Sequence, residues 1–173
     1  MKYLTRILTL LFVFLNSIAF SQELIKEAKL KFDLPNDSWA LKDKQFAEGK
    51  KIYFYKRESI KDKSGRNVIP NISVITEKVS KNQDVVTYSA FKRMEISFDV
   101  DKVFTHEDEL IEFQNAIGYK GQYQDQYGKH TIYVIYLINN KKGIQMIFDV
   151  TSDLFNELDE EFKKTMKSIQ KYE

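Results

Sequence analysis

Residues 131–138 read TIYVIYLI, apolar on both alternations, with Ile132, Val134, Tyr136 and Ile138 on one side and Tyr133, Ile135 and Leu137 on the other. Such a run predicts a strand covered on both faces. Around it lie shorter alternating runs. KLKFDLP at 29–35 stops at a proline. Trp39 and Leu41 share a face after the turn cluster NDS. KKIYFYKRES at 50–59 is rich in aromatic and β-branched residues. NISVITEKV at 71–79 sets Ile72, Val74 and Thr76 against Ser73, Ile75 and Glu77. Each predicts a strand. Residues 112–127, 130–139 and 143–151 predict three more, the last two joined by a hairpin at NNKKG, 139–143. Residues 99–112 are acidic and irregular, with a short strand expected at Lys102–Phe104.

Two segments change period. Over 84–98, Val86, Ala90 and Met94 are four apart and Phe91 and Phe98 extend the same side, which predicts an amphipathic helix capped by Asn82 or Asp84. Over 151–169, Phe155, Leu158, Phe162, Met166 and Ile169 form a second apolar stripe, with Thr151 or Ser152 as the expected cap. Acidic residues fill the first half of this helix and lysines the second, the order that complements a helix dipole. Its stripe needs a sheet to cover, and the two-sided strand supplies one. The fold class is therefore α+β: an antiparallel sheet of six to seven strands with a middle helix and a C-terminal helix packed on it.

The stretch GYKGQYQDQYGKH, 118–130, spaces three tyrosines by four, which fits a helix or a strand. Three glycines in eleven residues favour the strand, since each costs about 1 kcal/mol inside a helix. Tyr119, Tyr123, Asp125 and Tyr127 then share a face that packs under a helix, and Lys120, Gln122, Gln124 and Gln126 form the polar face. Asp125 is the misfit, and either a strand end near solvent or a bulge at Gly121 or Gly128 would explain it.

The first 21 residues stand apart. Lys2 and Arg6 precede an apolar core from Leu8 to Leu15, and Ala19-Phe20-Ser21 offers small residues for cleavage. This is the pattern of a secretory signal peptide. The expected division is a leader at 1–21 and one domain at 22–173, exported to the periplasm or the outside. There is no cysteine, hence no disulfide and no lipid attachment site. The chain carries 27 basic and 25 acidic residues, and two of the basic ones lie in the leader, so the remainder is neutral. A neutral domain with three arginines, Arg57, Arg66 and Arg93, is a poor nucleic-acid binder. No segment beyond the leader is long and apolar enough to span a membrane.

The chain resembles the PsbP/DcrB-like group, which includes photosystem II extrinsic subunits, small exported bacterial proteins and a Ran-binding transport factor. The resemblance lies in the F-x-L-P…W phrase from Phe32 to Trp39, the middle helix after two strands, the aromatic-glycine strand with the hairpin 130–151, and the closing helix entered through DVTSDLF. It implies a non-catalytic domain that binds partners or stabilises assemblies. The group shares no catalytic motif, so the resemblance assigns no residue a role.

Candidate chemistry is sparse. No Ser sits in G-x-S-x-G and no glycines form a phosphate cradle. Metal ligation rests on His106 and Asp108 in THEDE, 105–109, with His130 as a second segment; adjacent residues rarely converge on one ion, so the segment reads as an acidic solvated loop or helix start. No metal or cofactor is expected. The loop IKDKSGRNVIP, 60–70, is longer than most hairpin loops and carries Lys61, Lys63 and Arg66. With Asp125 and Tyr127 these form the candidate partner-binding set. The expected function is an exported non-catalytic binding or assembly module for a protein partner. The alternative is a carrier of a small apolar ligand between sheet and helix.

Overall fold

The computed structural model describes residues 21–173; the leader expected at 1–21 lies outside them apart from Ser21. The strands are β1 (Gln22–Ile25), β2 (Leu30–Asp33), β3 (Trp39–Ala47), β4 (Lys50–Arg57), β5 (Ile60–Lys61), β6 (Asn67–Val68), β7 (Asn71–Lys78), β8 (Asp99–Phe104), β9 (Ala116–Asp125), β10 (Gly128–Asn139), β11 (Lys142–Thr151) and β12 (Gln170–Lys171). Helix α1 spans Val85–Arg93 and α2 spans Phe155–Lys167. Seven strands form one antiparallel sheet in the order β3-β4-β7-β11-β10-β9-β8. A small sheet, β1-β2-β12, lies beside α2, and β5 and β6 make a separate hairpin.

The sheet is the middle of three layers. Tyr133, Ile135 and Leu137 of β10 join Ile144, Met146 and Phe148 of β11, Ile72 and Val74 of β7 and the α2 stripe in the larger core. Ile132, Val134 and Tyr136 of β10 point the other way, to Tyr88 of α1 and Phe98. The apolar double alternation of 131–138 thus has one helix on each side, as an α+β sandwich requires. The turn between β10 and β11 is two residues, Asn140 and Lys141, both at positive φ (48° and 58°), the geometry that matches strand twist in a tight hairpin.

The tyrosine stretch is a strand through Asp125. Its glycines admit neighbours: a Cβ on Gly118 would stand 2.2 Å from the Phe104 ring, and one on Gly121 2.2 Å from the Asp99 carbonyl. The register shift lies in β8, between Val100 and Lys102, opposite Gly121 and Lys120. Tyr119 and Tyr123 pack on the α1 side. Tyr127 does not join them; it sits in the β9–β10 turn and is 66% exposed. On the other face Lys120 is half-buried, its ammonium 4.5 Å from the Phe155 ring at the margin of α2, while Gln124 and Gln126 are exposed.

Three expectations are corrected. The 60–70 segment is a built hairpin rather than an open loop. The Asp62 carboxylate is buried and accepts from Ser64 N, Ser64 Oγ, Arg66 N and Arg66 Nε at 2.7–2.9 Å. The Ser64 hydroxyl bond leads in holding its pKa well below the usual carboxylate range. Helix α2 is not capped by Thr151 or Ser152. Leu154 holds the cap position without a side-chain bond, because Thr151 is still paired in β11 and Ser152 Oγ lies 2.7 Å from Thr131 Oγ1.

The third correction is the orientation of α1. Asp84 caps it, with Oδ1 accepting from Thr87 N at 2.8 Å. Yet the stripe of Val86, Ala90, Phe91 and Met94 faces solvent, and the buried side is Tyr88, Ser89 and Lys92. The sheet under α1 explains this. Glu77 on β7 receives the Tyr88 hydroxyl at 2.9 Å and the Lys92 ammonium at 2.8 Å. The Tyr88 ring sits where a Cβ on Gly143 would come within 2.5 Å. Ser89, being small, lets the helix approach until its Oγ is 3.4 Å from the Tyr119 hydroxyl. The sheet thus selects the polar-tipped side of the helix.

Candidate functional site

A polar cluster occupies one end of the α1 face, beyond the positions that α1 contacts. Strand register sets His130 of β10 opposite both Tyr123 of β9 and Thr151 of β11. Asp149, two residues before Thr151 on β11, turns to the same side. Its Oδ1 lies 2.8 Å from His130 Nδ1, and its Oδ2 accepts the Tyr123 hydroxyl at 2.9 Å and the Asn71 amide at 3.5 Å. The Tyr123 and His130 rings stack with centroids 4.8 Å apart. The Asp149 hydrogen bond raises the His130 pKa above 6.5 against the opposing effect of burial, and Asp149 and Asp125 charges add to it. Burial, then Asp149, pushes the Tyr123 phenol above its ordinary value.

The neighbouring turns close the site. Asp125 Oδ1 accepts from Tyr127 N at 2.7 Å and Gly128 N at 3.0 Å, and stands 3.5 Å from His130 Nε2. Arg66, already held by Asp62, donates from Nη1 to the Tyr127 carbonyl at 3.0 Å and ties the β5–β6 hairpin to the β9–β10 turn. Between them is a cavity of about 240 Å³ lined by Arg66, Asn67, Val68, Ile69, Tyr127, His130 and Thr151. His130 Nε2 and Thr151 Oγ1 are buried there without a hydrogen-bond partner.

The structure brings Arg66, Asp125 and Tyr127 of the candidate partner-binding set together with His130, which the sequence offered only as a metal ligand. Lys61 and Lys63 lie on the same hairpin outside the cavity; Lys63 N donates to Asp153 Oδ2 at 3.3 Å. His106 and Asp108 are elsewhere. They sit in a 3-10 turn, 106–108, after β8, whose last residue, Phe104, pairs Gly118, away from Tyr123 on β9. Asp108 is occupied there by Thr105 N at 2.9 Å and Lys102 Nζ at 3.2 Å. Among the described residues no three His, Cys, Asp or Glu side chains assemble as metal ligands. Sequence reasoning missed Asp149, Tyr123 as its partner, Asp62 and Thr151. The one available signal was Asp149, a charge in the otherwise apolar end of GIQMIFDV.

The raised His130 pKa has a stability consequence. A group whose pKa is raised on folding contributes stability that is fully present below its unfolded value, about 6.5, and is lost as pH climbs through the folded value. The stability difference between the protein and His130→Gln is therefore largest near pH 5.5 and shrinks as the pH passes through and beyond neutrality. Urea unfolding at several pH values measures it, and a difference independent of pH would contradict the Asp149–His130 pairing.

No protein-family model matches the chain, and no curated protein matches it. Solved structures do. The solution structure of CyanoP, the cyanobacterial PsbP of Synechocystis sp. PCC 6803, aligns with a TM-score of 0.55 over 91% of this chain and 95% of its own, at 10% identity. The fold is PsbP-like. The crystal structure of PA94 from Pseudomonas aeruginosa, a protein of unknown function, aligns with a TM-score of 0.56 over 89% of this chain and 98% of its own, at 12% identity. At such identities the likeness concerns the fold alone. The PsbP-like sandwich confirms the architecture that the F-x-L-P…W phrase and the two-sided strand implied.

Proposed function

We propose that the protein is an exported, non-catalytic binding module that docks a protein partner on the outward stripe of α1. The observation that carries this is the exposure of Val86 (63%), Phe91 (58%) and Met94 (82%) on the outer side of α1 and its C-cap. Burying such side chains is worth roughly 1.5–3 kcal/mol each, a gain the isolated fold forgoes. Val86, Ala90 and Met94 follow at intervals of four and Phe91 lies three before Met94, intervals that suit a helix laid in a groove. Val100 and Val103 of the edge strand β8 are on the same side of the sheet and extend the apolar surface. The partner is accordingly a protein with an apolar groove. The leader pattern supports export, as does β1 starting at Gln22, directly after the expected cleavage point.

The His130–Asp149 pair has the start of a hydrolytic arrangement. However, no hydroxyl among the described residues hydrogen-bonds Nε2 as a serine-type nucleophile would. A carrier would need space between sheet and helix, and Tyr88, Phe98, Ile132, Val134 and Tyr136 fill that layer on the α1 side.

The test is a photo-crosslinking residue at position 91, compared with one at the exposed Glu160 on α2, in cells exporting the protein. A single adduct with another protein is expected from position 91, absent from 160, and lost when Met94→Asp is added. Equal adducts from both positions would sink the proposal. An adduct with itself would replace the partner by a second copy.

A further inference from the structure

We propose that the end of the sheet bearing the β3–β4 turn rests on an anionic lipid surface, with Phe46 entering the interface and lysines meeting the headgroups. Phe46 is 73% exposed, two residues before the turn at Glu48–Gly49. Register sets Lys51 of β4 opposite Phe46 and Tyr53 opposite Lys44, so all four share one face, the α2 side of the sheet. Leu24 of β1, 45% exposed, and Lys26 of the 3-10 turn at 26–28 line the same hollow of about 550 Å³. Two further lysines continue the face. Lys51 pairs Thr76 of β7, which pairs Ile144 of β11; two residues nearer the end, Lys78 and Lys142 stand directly opposite each other. Like charges so placed oppose folding. Among the described residues Lys26, Lys44, Lys78 and Lys142 form no ion pair, and of the five only Lys51 reaches a carboxylate, Glu27 at 3.6 Å. Glu27 also accepts from the Tyr53 and Thr76 hydroxyls at 2.8 and 3.1 Å. With Glu48 in the turn, two carboxylates face five lysines, a local surplus of three positive charges on a domain that is neutral as a whole.

The chemistry of the patch selects a lipid surface over an acidic protein. All five cations are lysines, while Arg57, Arg66 and Arg93 are engaged elsewhere with Glu161, Asp62 and Phe98. A lysine is a hydrated point charge without the fork that grips a carboxylate. Clustered lysines suit a diffuse layer of anionic headgroups. An exposed aromatic ring among them suits it as well: the ring enters the interface while the lysine stems lie along it and keep their ammoniums in water. An extended acidic peptide would instead add to the sheet at its edge, which here is β3. That edge is broken by a register shift between Leu41 and Asp43 and carries the exposed Lys42 and Lys44, the features by which a sheet refuses a further strand. The outward stripe of α1 lies on the other face of the sheet, so this proposal and the docking proposal fail separately.

The experiment is co-sedimentation of residues 21–173, which hold the whole fold, with vesicles of phosphatidylcholine alone and of phosphatidylcholine mixed with phosphatidylglycerol. Binding to the anionic vesicles only is expected, and it should fall away as salt rises toward about 1 M, where the screening length is about 3 Å. Lys44→Ala and Lys78→Ala, both at exposed positions, should each weaken binding about fivefold. Lys78→Ala should also leave the thermal midpoint unchanged or higher, because it relieves the repulsion with Lys142. Phe46→Ser should weaken binding about tenfold. Phe46→Trp should bind as the parent does and shift its emission to the blue on the anionic vesicles, against a parent whose single tryptophan, Trp39, is buried. Absence of binding, equal binding to the neutral vesicles, or binding indifferent to both lysine variants overturns the proposal. Tighter binding to poly-glutamate than to the anionic vesicles overturns it too, since the partner would then be an acidic protein.

Discussion

Replacing Lys92 by alanine is expected to destabilise the protein by about 3–5 kcal/mol, the cost of breaking a buried ion pair from one side. Replacing its neighbour Phe91 by alanine should cost less than about 0.5 kcal/mol. For a helix residue pair of this kind the ordinary expectation is the reverse, because a phenylalanine normally anchors a helix and a lysine lies in water. The orientation of α1 inverts it. The Lys92 side chain is 8% exposed and bridges Glu77 and Glu95, each at 2.8 Å. Burial works against its charge, but the two carboxylates outweigh that and hold its pKa above the ordinary value. Without it, Glu77 keeps only the Tyr88 hydroxyl. Pairing Lys92→Met with Glu77→Gln should recover most of the loss, since removing both charges removes the desolvation problem with them. Urea unfolding of the four proteins gives the comparison. A cost for Phe91→Ala as large as that for Lys92→Ala would mean that the stripe is packed, and the docking surface on α1 would go with it.

The same inversion marks where sequence reasoning runs out. Strands were legible because a two-residue period survives any tertiary context: 131–138 declared itself covered on both faces, and Ile72, Val74 and Thr76 separated cleanly from Ser73, Ile75 and Glu77. Helix α2 was legible because its stripe meets an apolar sheet. The period of α1 was equally clear, yet its direction depended on Glu77 and Gly143, which reach it only through the β7–β11–β10 register. Short strands such as β1, β5, β6 and β12 carry too few residues for any period. The cavity is the extreme case. Arg66, Asp125 and His130 were visible as charged or titratable residues in turns and strand ends, but Asp149 and Thr151 gained meaning only from pairing opposite Ile132 and His130. Tyr127 left the tyrosine face because the chain turns at 126–127, the last two residues of the strand that the pattern predicts.

The other large effect belongs to the opposite layer, where pattern and packing agree. Phe162→Ala is expected to lower stability by about 3–5 kcal/mol, the range for emptying a buried phenylalanine site. Phe162 is fully buried at the middle of the α2 stripe. Its ring meets Trp39 of β3 at 5.9 Å, Phe148 of β11 at 5.6 Å and Phe155 about two turns earlier on α2 at 6.3 Å. Two neighbouring elements, β11 and α2, and the distant β3 therefore share one contact, and none of the surrounding rings is free to collapse into the space. Trp39 is pinned by its indole N–H, which donates to Glu161 at 2.6 Å, and Glu161 is pinned in turn by Arg57 at 3.2 Å. Phe155 is wedged against Tyr133, whose hydroxyl donates to Asp159 at 2.7 Å. Partners held by polar bonds relax poorly, which places this cavity toward the costly end of the range. For a domain of this size the loss corresponds to a fall in thermal midpoint of roughly 6–20 °C. Phe162→Leu, which keeps most of the volume, should cost less than half as much. A midpoint unchanged by Phe162→Ala would mean that α2 does not close the larger core. The fold would then rest on the sheet and α1 alone, contrary to the packing of every apolar residue in the α2 stripe.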